Sequence, residues 1–315
     1  MTEATDFGRR VAIATPTYRR NDQLAELLPQ LVEEARSIRP QATVIVADND
    51  PSAGAEAVVA RWAADGVRYV HEPRPGLAAV RNRLLDEAGE VDALVFIDDD
   101  EWPSSGWLRQ LVGTWQKYAS AAVCGPVQSI FPSEPDRWLS ATGVFDRARR
   151  ATGAQLSGGA SNNLLLDLTW LRTTGLRFDQ AFGETGGEDT MLMHSIVAAG
   201  GQIRWCDEAE VYERVPTTRM SRSWIAKRVV RTSNTWARVE LIIASRHSRP
   251  LKRRAWVAAR APYFGLRGVV TVAAGAIRRD PATSARGACD LYRSIGVARA
   301  VLGSVSAEYR RQPVG

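Results

Sequence analysis

Cysteine is nearly absent from this chain of 315 residues: Cys124, Cys206 and Cys289 are the only three. They are odd in number and far apart, which excludes a disulfide framework and a zinc-type spacing and fits a reducing compartment. Lysine is as scarce, 3 residues against 38 arginines. No phosphate loop G-x-x-x-x-G-K-[ST] occurs, and no G-x-G-x-x-G follows the first apolar run, so both glycine cradles for a nucleotide phosphate are missing. The first ten residues are polar and lack the apolar stretch of a secretory leader. In the C-terminal third, Arg260 and Arg267 interrupt the apolar stretch 251–277, leaving no uncharged run near the ~18–20 residues of a spanning helix. No internal repeat is visible.

What is present points to a folded, two-toned molecule. A hydrophobic fraction of 45% supports a real core, and the length suits one large α/β domain with an appendage. The net charge of +6 conceals an asymmetry. Residues 214–315 carry 21 Lys and Arg against 4 Asp and Glu, a balance of +17, while residues 1–213 carry the other 20 and 31, a balance of −11. An acidic body thus bears a basic tail, of the kind that faces anionic lipid or nucleic acid.

Strand and helix patterns alternate four times. Val11–Ala14, Ala42–Ala47, Val67–Val70 and Ala93–Ile97 read as strands. Between them, Leu24, Leu27, Leu28, Leu31, Val32 and Ala35 fall on one helical face, followed by helices over 55–64 and 77–88. The alternation predicts parallel crossovers and a doubly wound sheet. Later elements are less regular: a helix over 108–118, strands over 121–127, 163–168, 203–205 and 209–212, a helix over 190–199, and an Arg-rich loop over 133–153. The tail reads as an Arg-rich helix over 221–245. Pro262, Gly265 and Gly268 then break 251–277 into amphipathic pieces suited to a bilayer interface; the plainer alternative is a helical subdomain packed on protein.

In doubly wound sheets ligands sit beyond the carboxyl ends of the strands. Three polar segments fall there: Thr15–Arg19, Asp48–Asp50 and Asp98–Glu101. The last is the most informative. The run Val95-Phe96-Ile97 ends in Asp98-Asp99-Asp100-Glu101, and adjacent carboxylates repel unless a cation neutralises them. Hard divalent ions take such oxygens together with substrate phosphates; an acidic loop after a strand is the bland alternative. Tyr18 is placed to stack on a base or simply to pack, and Asp48 to accept from a base N–H. Far along the chain, Gly183, Gly186 and Gly187 lead into Glu188-Asp189 at a helix start, where a carboxylate near a metal–diphosphate suits a general base and an ordinary cap is the alternative.

Thr15-Pro16-Thr17-Tyr18-Arg19-Arg20, Asp48-Asn49-Asp50, Gly76-Leu77-Ala78-Ala79-Val80-Arg81-Asn82, Asp98-Asp99-Asp100-Glu101 and Gly187-Glu188-Asp189 occur in this order. Together, over roughly residues 9–235, they resemble the family 2 inverting glycosyltransferases of GT-A fold, in the succinoglycan-biosynthesis-like branch. The resemblance implies a GT-A catalytic domain over 1–220, with a nucleotide-sugar half (9–102) and an acceptor half (103–220), and a basic helical region over 221–315. It implies that Thr15, Pro16, Tyr18 and Arg19 contact the nucleoside, Asp48 the base, and Arg81 and Asn82 the nucleotide pocket. It implies further that Asp98 turns to the ribose, with Asp99 in the same motif, that Asp100 holds a divalent cation, Mg²⁺ or Mn²⁺, and that Asp189 is the base, with Glu188 holding an acceptor hydroxyl or tuning it.

Two departures stand out. Where many relatives carry a histidine near a strand end, this chain has Tyr212-Glu213-Arg214, which leaves the second metal ligand open. The Q-x-x-R-W signature of processive synthases is absent, so transfer of a single sugar is expected, with Arg222 and Arg228 near the leaving diphosphate. The expected partners are a nucleotide-sugar donor, with a UDP-sugar first, a glycan or polyprenyl-linked acceptor, and a membrane surface, on the cytoplasmic face of the plasma membrane; no nucleic acid is expected. A sugar-phosphate nucleotidyltransferase is the competing enzyme, although the first loop lacks its glycine and lysine. A nucleic-acid-binding protein explains the tail but leaves the acidic rim without a role.

Overall fold

The computed structural model describes residues 4–159, 161–183, 185–245 and 250–305. In chain order the first elements are β1 (Thr5–Asp6), β2 (Val11–Thr17), α1 (Asn21–Arg36), β3 (Ile38–Arg39), β4 (Thr43–Asp48), α2 (Glu56–Ala60), β5 (Val67–His71), α3 (Leu77–Glu87) and β6 (Ala93–Ile97). There follow β7 (Glu101–Pro103), α4 (Trp107–Tyr118), β8 (Ala122–Cys124), β9 (Val127–Ile130), α5 (Arg137–Ala141), β10 (Gln155–Leu156), β11 (Asn163–Asp167), α6 (Leu168–Thr174), α7 (Glu188–Ala198), β12 (Ile203–Trp205) and β13 (Val211–Arg214). Three long helices close the chain: α8 (Arg222–Ser245), α9 (Pro250–Ile277) and α10 (Pro281–Val301).

Eight strands form one sheet in the order β10-β12-β8-β11-β6-β2-β4-β5. β2, β4, β5 and β6 are mutually parallel, as the alternation requires. β11 runs antiparallel to β6 and β8, so the mostly parallel sheet becomes mixed in its second half. Beyond Glu101 the regular alternation is lost: β6 leads directly to β7, β8 to β9 and β10 to β11 with no helix between. Successive strand residues face opposite sides. Val11, Ile13, Val44, Val46, Val95 and Ile97 pack with α1 and α4. Ala12, Ala14, Ile45, Ala47, Leu94 and Phe96 pack on the other side with α3 and α7. Burial on both faces explains why these strands are continuously apolar. The single strand expected over 121–127 is divided at Gly125-Pro126. A Cβ at Gly125 would lie 2.4 Å from the Ala209 carbonyl oxygen, and Pro126 has no N–H to continue a ladder. β9 instead joins a three-stranded sheet, β7-β13-β9.

The described residues divide into two compact units: those up to Gln128 with Arg147–Glu213, and Ser129–Asp146 with the described residues from Arg214. The second unit differs from the sequence expectation in two places. The 133–153 loop contains α5, whose Leu139 N–H donates to Asp136 at 2.6 Å. Trp138 and Leu139 pack with Ile225, Val229, Ala285 and Cys289. The 251–277 segment is one continuous helix rather than pieces. Its glycines are contact points: a Cβ at Gly268 would lie 2.9 Å from Leu291 N, and one at Gly275 2.6 Å from Ser284 N. α10 therefore lies backbone-close and antiparallel along α9, and this packing outweighs the helix-breaking tendency of Pro262. Among the described residues no helix is long and apolar enough to cross a membrane.

Candidate active site

The first unit gathers its polar strand ends on one rim. Thr15 and Pro16 pair with Val46 and Ala47 between β2 and β4. Thr15 is fully buried, and among the described residues its Oγ1 has no hydrogen-bond partner. Thr17 donates its hydroxyl to Asp99 at 2.7 Å, which ties the ends of β2 and β6 together. Tyr18 is 40% exposed on this rim. The Arg19 guanidinium sits 5.2 Å from its ring and donates to Asp50 at 3.2 Å. Arg19 has φ 55°, a left-handed conformation that non-glycine residues adopt at a cost and that recurs at functional loops.

Asp48 is fully buried. Its carboxylate accepts from Asp50 N and Ala55 N, both at 2.8 Å, and from Tyr69 Oη at 3.2 Å. It folds the loop after β4 with the same oxygens the sequence reading reserves for a base. Asn49 donates to the Glu72 and Arg74 carbonyls at 2.7 and 2.6 Å, fastening the loop to the end of β5.

The acidic motif is divided by environment. Asp99 is buried and fully engaged by Thr17 and by Arg20, whose Nη1 lies 2.8 Å from it and also 2.8 Å from Asp100. Burial opposes the Arg20 charge, yet Asp99 and Asp100 outweigh it and raise its pKa above the ordinary value. Asp98 is a third exposed and makes a 3.5 Å contact with Arg81. Its pKa is pushed up to about 6 by loss of hydration, opposed by Arg81 and reinforced by Asp100 and Asp99. Glu101 is buried, accepting from Asn162 Nδ2 at 2.7 Å and from Asp98 N at 3.1 Å. Burial, and then Asp98, hold its carboxyl well above the usual range. Glu213 is in register opposite Glu101 between β13 and β7. Among the described residues no group of three or more carboxylate, histidine or cysteine side chains is arranged around one point as a cation cage.

The Gly187-Glu188-Asp189 segment reaches this rim through α3. Gly76 caps α3 at φ 105°, and a Cβ there would lie 2.7 Å from the Gly183 carbonyl oxygen. Leu77 N donates to that same oxygen at 3.0 Å, so glycine is required for both conformation and approach. One turn on, Arg81 is buried. It pairs with Glu188 through Nη1 and turns Nη2 toward Asp98. Glu188 is buried, and its pKa is pushed up to about 7 by burial, opposed by Arg81 and reinforced by Asp189. Asp189, in the first turn of α7 and partly exposed, accepts from Thr190 N at 2.6 Å.

Thr17, Asp99, Arg20 and Asp100 are thus linked in one group at the strand ends, and Glu188, Arg81 and Asp98 in another; Thr15 and Asp189 lie in the same segments without a side-chain hydrogen bond to either group among the described residues. Asn82 is spent elsewhere: its amide donates to Phe178 O at 2.9 Å and accepts from Phe178 N at 3.1 Å. In the second unit, Arg222 lies 5.0 Å from the Trp138 ring and Arg228 5.9 Å from the Trp224 ring. Sequence reading passed over Arg20 and Asn162 as individuals. The signal for Arg20 was the need for a cation beside three carboxylates. For Asn162 it was the polar Ser161-Asn162-Asn163 before an apolar strand that pairs back along β6.

The glycosyl transferase family 2 model matches residues 12–172, about half of the chain. The succinoglycan biosynthesis protein ExoM of Rhizobium meliloti (strain 1021) is 35% identical over 237 residues, 73% of this chain and 74% of that protein. By these two findings the chain belongs to the family 2 glycosyltransferases. The fold agrees. The mannosyltransferase PcManGT from Pyrobaculum calidifontis, in complex with GDP-Man and Mn²⁺, superposes with a TM-score of 0.61 at 19% identity, covering 96% of this chain and 90% of that one. S. aureus TarS 1-349 in complex with UDP-GlcNAc gives 0.53 at 12% identity, covering 96% and 97%.

Proposed function

We propose that this glycosyltransferase moves one sugar from a nucleoside-diphosphate sugar to a hydroxyl of a glycan or polyprenyl-linked acceptor in exopolysaccharide or cell-envelope synthesis, with inversion at the anomeric carbon. The observation that supports the reading is the Arg81 bridge between Asp98, at the acidic rim, and Glu188, the residue before Asp189. The relation to a succinoglycan biosynthesis protein supports the pathway class. The neighbours with GDP-Man and UDP-GlcNAc support the donor class.

Asp98 and Asp100 fit a divalent cation, Mg²⁺ or Mn²⁺: both are hard oxygen donors, partly exposed at the end of β6. When bound, such an ion stabilises charge on the departing diphosphate. Tyr18 and Arg19 contact the nucleoside from the exposed rim, with the loop that Asp48 folds alongside. Asp189 takes the proton of the acceptor hydroxyl. The freed oxygen attacks the anomeric carbon opposite the diphosphate, whose bridging oxygen leaves with the bonding pair. Removing a base of this kind costs about 10²–10⁴ in rate. A thermal-shift panel of nucleotide-sugars with and without Mn²⁺ identifies the donor. Asp189→Asn is then expected to lose most transfer while keeping donor affinity; equal turnover in both proteins removes Asp189 from the role.

The second unit supports action at a membrane surface, peripheral to its cytoplasmic face. Tyr263, Leu266, Val269, Val270 and Ile277 project outward along α9, a large apolar stripe among arginines. Two of its acids are already paired: Glu240 with Arg253 at 2.6 Å and Asp290 with Arg267 at 2.6 Å. The outward charge is therefore cationic, which suits anionic lipid and opposes self-association. Flotation with phosphatidylglycerol vesicles at low salt should carry the protein to the lipid fraction, and Leu266→Asp with Val270→Asp should leave it behind. Retention of the unaltered protein in the soluble fraction counts against the reading.

A further inference from the structure

The sequence reading put Arg81 against the nucleotide and Glu188 against the acceptor. Their burial argues for a different division of labour. Glu188 is 1% exposed and Arg81 4%, so neither presents a face for a substrate to cover. Arg81 instead spans two elements that are distant in sequence. One amine of its guanidinium is on Glu188, at the first residue of α7; the other faces Asp98, just past the end of β6. The fork is steadied from the side by the Phe178 ring, 5.9 Å away, and Phe178 is itself clamped by both ends of the Asn82 amide. The second Glu188 oxygen is buried with no hydrogen-bond partner among the described residues, so its tie to Arg81 is the polar anchor of that carboxyl.

We infer that Arg81 is a positioning residue that fixes the distance between the donor rim and the base, by holding Glu188 and with it the first turn of α7. The inference rests on Asp189 as the base, which follows Glu188 directly. A planar guanidinium serves two carboxylates at once; an ammonium is a point charge and cannot span the same pair. Misplacing a reacting group by about 1 Å typically costs about 10² in rate. Arg81→Lys should therefore keep the charge and lose the span.

The test measures kcat and KM for the donor found by the thermal-shift panel, at pH 8, in Arg81→Lys, Glu188→Gln, the double variant and Asp189→Asn. Arg81→Lys and Glu188→Gln are each expected to lower kcat by about 10² while KM for the donor changes less than about threefold. The double variant should be no slower than the slower single one, because both remove one linkage. A rise in KM that accounts for the loss makes Arg81 a donor contact and overturns the inference, as does a multiplicative loss in the double variant or wild-type kcat in Arg81→Lys. Undiminished kcat in Asp189→Asn, by contrast, sinks the base assignment while the coupling between Arg81 and Glu188 is still read from the other three.

Discussion

The two units use the same arginine–carboxylate chemistry to opposite ends. In the sheet unit carboxylates are in excess, and a few arginines are drawn inward: Arg81 between Glu188 and Asp98, Arg20 between Asp99 and Asp100. In the helical unit arginines are in excess, and a few carboxylates are drawn inward to cross-link helices. Asp290 of α10 is held by Arg267 of α9 and by Arg293 at 2.7 Å, and despite burial these two arginines keep its pKa low. In each of these clusters the ion of the scarcer sign bridges two of the other. An acidic rim and a cationic face are what remain outside, one in each unit.

This contrast can be broken most forcefully at its most buried pair. Arg81→Met leaves the buried Glu188 carboxyl without its partner and is expected to cost about 3–5 kcal/mol in chemical denaturation at pH 8. A loss below about 1 kcal/mol would mean that the pair is not load-sharing in the fold.

Acidity provides the next largest effect. The Glu188 pKa is raised to about 7 in the folded protein from an ordinary 4.5, so between these values the folded state keeps a proton the unfolded chain has released. Its stabilisation is complete below about pH 4.5 and lost as the pH rises through about 7, on the order of 3 kcal/mol in all. Denaturation midpoints across this range should show that slope in the wild type and a flatter one in Glu188→Gln. Gly76→Ala comes third, at about 1–3 kcal/mol, from a positive φ and a clash with the Gly183 carbonyl. A melting temperature unchanged by this substitution would show that the α3 cap yields. Arg260→Gln in the helical unit comes last. Its guanidinium lies 4.2 Å from the exposed Trp256 ring, and such contacts are worth about 0.5–1 kcal/mol; a change above about 2 kcal/mol would contradict the outward placement of the excess arginines.

Much of the sheet unit was legible because its signals are local and periodic. The strands at Val11, Thr43, Val67 and Ala93 and the helix carrying Leu24 to Ala35 declare themselves by apolar spacing, and the polar residues at their carboxyl ends declare a rim. What the sequence withheld depends on tertiary contact. Whether Glu188 faces solvent or Arg81 is decided by the docking of α3 on Gly183, not by neighbours in the chain. Asn82 looks like a ligand-facing amide until its two backbone partners on Phe178 are known. The reversal of β11 follows from the connections beyond Glu101. In the helical unit glycine and proline were read as interruptions of 251–277, since propensity describes an isolated helix. Against α10 the same glycines are seats for a neighbouring backbone.

That last point carries a consequence. Because α9 and α10 meet main chain to main chain at Gly268, Gly275 and Gly287, little side-chain volume is consumed in joining them. The bulky groups of a 28-residue rod are released to point away from the seam. A hairpin assembled this way is thin and stiff, with its largest residues turned to the surroundings, and its outer texture can drift through mutation without loosening the joint that gives it shape.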